Sequence, residues 1–458
     1  MGLEAAPLTL DPRLAIDAYS TKLCRLLHRG LFRLNSRLEP IPDLVESYEF
    51  KAPLTYHFTL KKALTFQDGS PLTAADVKAT LESVVDPALA SPYRSALEKI
   101  ASIEVTGDDQ LDITLKEPLA SLLANLTLGI IPENNPKIGA GPYQLQEFKP
   151  NDRVVLVRNP HYSTAARLDT LIFRIIPDDN LRVLELMNGK IDLLLNNVPP
   201  LLVEPLSHRA NLQVQTTQGI NVNYLGLNLQ EEHLQKLVVR QALALALNIP
   251  ELIQYRMAGL AHTAKGWLAP MHWAYEPEVK GYAYDPNEAR RLLDQAGYPD
   301  PDGAGPLPRF TLTFKTSTKK DRIGLARLYA RYWKDVGVEV KILPFEWATL
   351  FHDIQLGKFQ IFSLTWVGLT EPDLPPLGAN RGHYANPVMD QLTAEGRREM
   401  DTGKRKEIYS YVQKIMGDDL PSIPLWYEDN VAVQQKNVKG LQLRPDGSFE
   451  ALTEVYKE

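Results

Sequence analysis

Residues 310–366, FTLTFKTSTKKDRIGLARLYARYWKDVGVEVKILPFEWATLFHDIQLGKFQIFSLTW, switch between two periodicities and end on a third apolar run. FTLTFK (310–315) and VEVKI (338–342) alternate apolar and polar side chains, the period of a half-buried strand. Between them Leu325, Leu328, Tyr329, Tyr332, Trp333 and Val336 fall along one face of a helix predicted over 321–336, which Gly337 closes. A second helix near 346–356 leads into the strand FQIFSLTW (359–366). This order predicts an α/β fold with a parallel sheet and right-handed crossovers, and ligands of such sheets bind outside the carboxyl ends of the strands. Trp366 stands at one of those ends, so the loop that follows it, VGLTEPDLPP (367–376), reads as a plausible wall of a binding site.

Upstream, YDPNEARRLLDQAGYPD (284–300) predicts a fully punctuated helix. Asp285 is the N-cap, Pro286 takes the first helical position, Ala289, Leu292, Leu293 and Ala296 form one stripe, and Gly297 ends it. The first half of the chain uses the same grammar. Thr73 and Asp76 make a capping-box start to a helix with Val77, Leu81, Val84 and Val85 on one face. SIEVTGDDQLDITLK (102–116) and GPYQLQEFKPNDRVVLVRNP (141–160) read as hairpins. TLIFRII (170–176), DDNLRVLELMNG (178–189) and KIDLLL (190–195) read as a β-α-β unit. Two α/β regions in one chain suggest two lobes with a cleft between them.

A length of 458 residues exceeds what one hydrophobic core organises. With 44% apolar and 23% charged residues, the composition is that of a folded globular protein rather than a disordered chain. The net charge of −6 is spread without basic blocks, which argues against a nucleic-acid partner. The richest apolar run, LASLLANLTLGIIP (119–132), falls short of the ~18 residues of a membrane span, so no transmembrane segment is expected. The start, MGLEAAPLTLDP, carries no leader pattern. Cys24, the only cysteine, lies among Leu23, Leu26 and Leu27 and reads as a packed core residue.

Catalytic patterns are missing. There is no phosphate loop, and GAGPYQ (139–144) lacks the third glycine of a dinucleotide fingerprint. STKK (317–320) has none of the companion motifs of a serine β-lactamase-type site. The nine histidines form no H-E-x-x-H and no i, i+4 pair, and DPDG (300–303) lacks the closing acid of a calcium loop, so neither metal nor cofactor is expected. The acid pairs at 108–109 and 178–179 suit a hairpin turn and a helix start better than acid–base chemistry. What remains is material for holding a solute: Trp366, Arg381 and Tyr384, two broad aromatic faces and a planar donor fork at and after one strand end. Each alone is more simply core or surface; together they form a candidate site.

Six ordered stretches carry a family resemblance: LTFQDGSPLTAADVKATLES (64–83), GAGPYQL (139–145), RNPHY (158–162), VRQALALALN (239–248), YDPNEARRLLDQAGYPD (284–300) and YANPVMDQL (384–392). Together the chain resembles the family 5 extracellular solute-binding proteins, the peptide- and nickel-type components of bacterial ABC importers. The resemblance implies a type II periplasmic-binding-protein fold of the large three-domain variety with two hinge segments. A base domain of lobe I would comprise 1–42, 139–222 and 436–458, an additional domain 43–138, and lobe II 223–435. It implies a monomer outside the cytoplasm, periplasmic or at the cell surface, whose leader is absent from this chain. The protein would bind a short peptide or peptide-sized solute without chemistry, close around it, and present it to membrane permease subunits driven by separate ATPases.

Peptide-binding relatives often carry an aspartate three residues after the tryptophan, where it pairs with the ligand's amino terminus. Here Trp366-Val367-Gly368 is followed by Leu369; Gly368, Leu369 and Glu371 are candidate ligand-binding residues of this loop, from which Glu371 or Asp373 could reach in with a displaced carboxylate. A blocked peptide or another amphipathic solute gains from that change. By position in the family, Tyr19 and Lys137 would serve the ligand from the first lobe. Two further readings are a sensor using the same clamp to signal to a membrane receptor, and a hydrolase with an unrecognised site.

Overall fold

The punctuation of the 286–295 helix is realised atom by atom. The Asp285 carboxylate accepts from the backbone N–H of Asn287 at 3.1 Å and Glu288 at 2.9 Å, Pro286 opens the helix, and Gly297 follows it at φ +89°. Ala289 and Leu293 are fully buried on its inner face. At the other helix start read from sequence, the Thr73 N–H and hydroxyl both donate to Asp76. Asp178 caps its helix by accepting from Leu181 N–H at 2.8 Å. These contacts come from a computed structural model of the chain, which describes residues 1–51, 53–133, 135–162, 166–303, 305–373 and 380–458. Residues 374–376 of the loop after Trp366 therefore lie outside the described residues.

The chain forms two units: Met1–Gly219 with Arg397–Asp401 and Asn430–Glu458, and Ile220–Gly396 with Thr402–Asp429. Two long strands, Leu212–Leu227 and Ser422–Gln435, contain two of the four points where the backbone passes from one unit into the other.

The second unit holds the segment 310–366. Strands Phe310–Ser317 and Val338–Phe345 run parallel in register from Phe310 opposite Val338 to Ser317 opposite Phe345, and Phe314–Lys315 pair in parallel with Ile361–Phe362. The helix Lys320–Lys334 crosses between the first two and buries Leu325, Ala326, Tyr329 and Trp333; the Trp333 indole N–H donates to Leu243 C=O at 2.9 Å. The expected parallel sheet holds for these three strands and turns mixed beyond them. Strand Ile361–Trp366 pairs on its other side antiparallel with Leu212–Leu227, Val222 opposite Trp366, and Ala261–Thr263 pairs antiparallel with Ser422–Gln435. These antiparallel pairings were not legible, because local alternation identifies strands but says nothing of a partner more than a hundred residues away.

The first unit carries two four-stranded sheets. One takes the order Val45–Lys51, Thr55–Leu60, Gln110–Leu115, Ile100–Gly107 and is all antiparallel, with the helix Ala74–Val85 sharing its core through Val77, Leu81 and Val84. The other joins Gly2–Leu3, Thr170–Ile175, Arg153–Arg158 and Tyr143–Lys149. Both expected hairpins are present. The β-α-β unit read at 170–195 is corrected: its first strand belongs to this second sheet, antiparallel to Arg153–Arg158, whereas Leu193–Leu195 pairs antiparallel with Ala432–Gln434. Three consecutive buried leucines are equally at home in either arrangement, so the periodicity could not choose. Cys24 is buried, and burial pushes its thiol pKa up.

Among the described residues no single helix is long and apolar enough to cross a membrane. One bent pair, Leu237–Leu245 with Ile249–Arg256, qualifies on composition, but Ala242, Leu243 and Leu252 are packed in the second unit's core.

Candidate functional site

In the second unit, the strands Leu212–Leu227 and Ile361–Trp366 set an aromatic wall on one face of the sheet. Tyr224 packs on Trp267 with ring centroids 4.5 Å apart, and Trp267 meets Trp366 edge to face at 6.3 Å. Trp267 is only 2% exposed and its indole N–H donates to Ser422 Oγ at 3.1 Å, so the inner rings are fixed. Trp366, last residue of its strand, is half-buried and keeps part of its ring free. Gly226 is required behind this wall: a Cβ there would lie 2.2 Å from the Phe362 ring, which sits between Tyr224 and Phe359.

A cavity of about 50 Å³ opens against the wall. Trp366, Arg381 and Tyr384 line it together with Tyr224, Trp267 and Phe362. Arg381 rests its guanidinium 5.2 Å from the Phe351 ring centre, a cation–π contact that aims an otherwise flexible side chain. Tyr384 is buried; its hydroxyl donates to Asp419 Oδ2 at 2.5 Å, and Asn386 donates to the same oxygen at 2.8 Å. Burial, then the carboxylate, pushes the Tyr384 phenol pKa upward, so its ring is a neutral, fixed wall. Three residues joined by proximity in sequence thus share one cavity.

The loop after Trp366 is anchored at each step. Gly368 turns it at φ +71°, a left-handed conformation natural to glycine, while its N–H donates to Asn221 Oδ1 at 3.2 Å. Leu369 is 7% exposed. The Thr370 C=O accepts from His272 Nε2 at 3.1 Å, and His272 Nδ1 in turn accepts from Ala274 N–H at 3.0 Å, which fixes the neutral tautomer with its proton on Nε2. Glu371 pairs with Arg405 at 2.6 Å, the two side chains being 22% and 8% exposed. Burial pushes the Glu371 carboxyl pKa up, and Arg405 opposes that rise. Arg405 also donates to Gly396 C=O at 3.0 Å and lies over the Trp273 and Tyr409 rings. The Glu371 carboxylate is therefore engaged within the unit.

In the first unit, Tyr19 sits in the first turn of the helix Ala18–Leu27, whose Asp17 cap accepts from Tyr19 N–H at 3.2 Å and Ser20 N–H at 2.9 Å. Its ring packs 6.4 Å from Phe449, and burial, reinforced by Glu4, pushes its hydroxyl pKa up to about 12. Lys137 is exposed, its backbone N–H donating to Asn135 Oδ1 at 3.2 Å. Among the described residues no cluster of three or more His, Cys, Asp or Glu side chains is arranged to hold a metal ion.

Sequence reading missed Trp267, Tyr224, His272 and Arg405. None carries a local signature; each acts through a partner 34 to 155 positions away, apart from the visible hint of a Trp between Gly266 and Pro270. His272 has a measurable consequence. Burial lowers its pKa from 6.5 to about 4, with the Thr370 carbonyl opposing and Arg405 contributing. A depressed histidine pKa means the unfolded chain binds more protons, so stability is full above pH 6.5 and is lost as pH falls towards 4, by up to ~3 kcal/mol for one such group. Thermal unfolding followed from pH 7 to 4.5 is expected to decline more steeply for the wild type than for His272→Gln; parallel curves would refute it.

The fold is that of the periplasmic binding proteins associated with ABC transporters. More narrowly, the chain belongs to the bacterial extracellular solute-binding proteins, family 5, whose model matches residues 39–386. It is 27% identical to the glutathione-binding protein GsiB of Escherichia coli (strain K12), covering 96% of this chain and 91% of that one. Among solved structures it is similar to the Helicobacter pylori periplasmic binding protein DppA in complex with the peptide STSA, at TM-score 0.84 and 26% identity, covering 100% of this chain and 97% of that one. It is also similar to the Bacillus subtilis oligopeptide-binding protein AppA in complex with a nonapeptide, at TM-score 0.85 and 25% identity, covering 100% and 98%.

Proposed function

We propose that this protein works outside the cytoplasm, captures a short peptide or peptide-sized solute without altering it, and hands it to its permease. Trp366 supplies the aromatic contact, Arg381 and Tyr384 line the cavity beside it, and Tyr19 and Lys137 act from the first unit. Gly368 and Leu369 shape the ligand-facing loop, and Glu371 holds that loop through Arg405. The observation that carries this reading is Trp366, partly free at a strand terminus and backed by the fixed Trp267 and Tyr224 rings. Rigid aromatic faces beside a donor fork recognise amphipathic solutes at small entropic cost. Relatives named for glutathione and solved with STSA or a nonapeptide point to the same ligand class. Leu369, apolar and buried, places no carboxylate at the third position after Trp366, so a ligand with a masked amino terminus suits this loop better than a free one. The organisation that suits this role is the three-domain one, with residues 43–138 as an insert in the first lobe.

Native mass spectrometry of protein purified without added ligand tests the proposal. One peptide-sized molecule per chain, released intact on denaturation, is expected. Turnover of a peptide pool by the purified protein would overturn it.

A further inference from the structure

The first unit contains a cavity of about 410 Å³ that the binding function does not use. It is walled by the end of the helix Ala18–Leu27 and the residues after it, by the strand Phe32–Leu34, and by the segment around Arg444 and Glu450. Its volume is in the range of small-molecule sites, and its lining is rich in charge.

The charges do not cancel. Of the lining acids, Asp43 is paired with Arg29 at 2.6 Å, Glu450 with Arg444 at 3.4 Å, and Glu454 with Arg167 at 3.9 Å. Arg25 is paired with Asp446 at 3.0 Å. Two lining cations, Arg33 and Lys61, have no ion pair and no side-chain hydrogen bond among the described residues. Their backbone is held firmly. Arg33 is the outward residue between the buried Phe32 and Leu34, and Arg444 donates to Leu34 C=O at 2.7 Å. Lys61 N–H donates to Leu44 C=O at 2.9 Å. Two unmatched cations line one cavity, and a doubly charged oxyanion would neutralise both; arginine offers it a planar fork and lysine a point charge.

We infer that this cavity is a second ligand site, taking a small solute that carries a doubly charged oxyanion, either a phosphate or a dicarboxylate. The site lies within the first unit and is independent of the ligand proposed above. The test is calorimetric titration of the whole protein with inorganic phosphate and, separately, with malonate, at an ionic strength fixed by sodium chloride. Saturable binding of one ion per chain is expected for at least one of the two, and their ratio tells phosphate from dicarboxylate. Arg33→Gln and Lys61→Gln should each weaken that binding at least tenfold. Lys406→Gln, an exposed charge in the other unit, should leave it unchanged. Because Arg33 and Lys61 have no partners to lose, both variants should unfold no earlier than the wild type in anion-free buffer. No saturable response to either anion beyond chloride, or an undiminished response in the Arg33→Gln/Lys61→Gln double variant, overturns the inference.

Discussion

Arg405→Met is expected to unfold at pH 7 with a loss of about 3–5 kcal/mol, the range for breaking a buried ion pair from one side. In a unit of this size that is a fall of roughly 6–20 °C in the unfolding midpoint. The cost arises in what is left behind: Glu371 stays largely buried without its cation, and burial already pushes its carboxyl pKa upward. Gly396 C=O loses a donor, and the Trp273 and Tyr409 rings lose the guanidinium that lies over them. The sign with pH separates this account from simple loss of packing. A carboxyl raised above its unfolded value is destabilising above that value and recovers as pH falls, because the folded state then takes up the proton. The variant's deficit should shrink between pH 7 and pH 5. A double variant, Arg405→Met with Glu371→Leu, should regain much of the loss at pH 7. A deficit independent of pH, or a double variant no better than the single, would show that the pair is not what holds the loop.

That pair also explains why the loop can serve as a wall. Residues 367–371 have no regular structure, yet Asn221, His272 and Arg405, from three separate parts of the chain, hold it at Gly368, Thr370 and Glu371. If it faces the ligand as proposed, a loop held this way binds with little further loss of ordering entropy, which is the use of preorganisation.

How far this was legible from the residues depended on range. The helix at 286–295 could be read because cap, stripe and closing glycine are contiguous, and each acts on its own backbone. The alternation over 310–366 could be read for the same reason, down to the three parallel strands. Pairing of Ile361–Trp366 with Leu212–Leu227 could not, since hydrogen bonds between backbones carry no residue code and the partner lies about 140 positions earlier. In the candidate site, the shared cavity of Trp366, Arg381 and Tyr384 was suggested by their type and closeness in sequence. Trp267 and Arg405 were not, because a buried ring or a buried cation is defined by what surrounds it, and that neighbourhood exists only after folding.

Trp366→Ala should raise the dissociation constant of the solute released from the purified protein by about 30-fold or more, the scale of losing a central aromatic contact of ~2 kcal/mol. Stability should change much less than affinity. The inner rings Trp267 and Tyr224 remain, Ser422 still fixes the Trp267 indole, and the alanine lies at a strand terminus where the next residue, Val367, is 53% exposed. A purely structural tryptophan would behave otherwise, with the unfolding midpoint falling and affinity following only as folded protein is lost. Trp366→Phe distinguishes further, because a smaller ring at the same place retains most of the face and should recover most of the binding. Titration of refolded, ligand-free protein with the identified solute, alongside thermal unfolding of the same samples, reads both quantities. An unchanged dissociation constant in folded Trp366→Ala would remove this residue from the site, and with it the aromatic wall as the surface that holds the ligand.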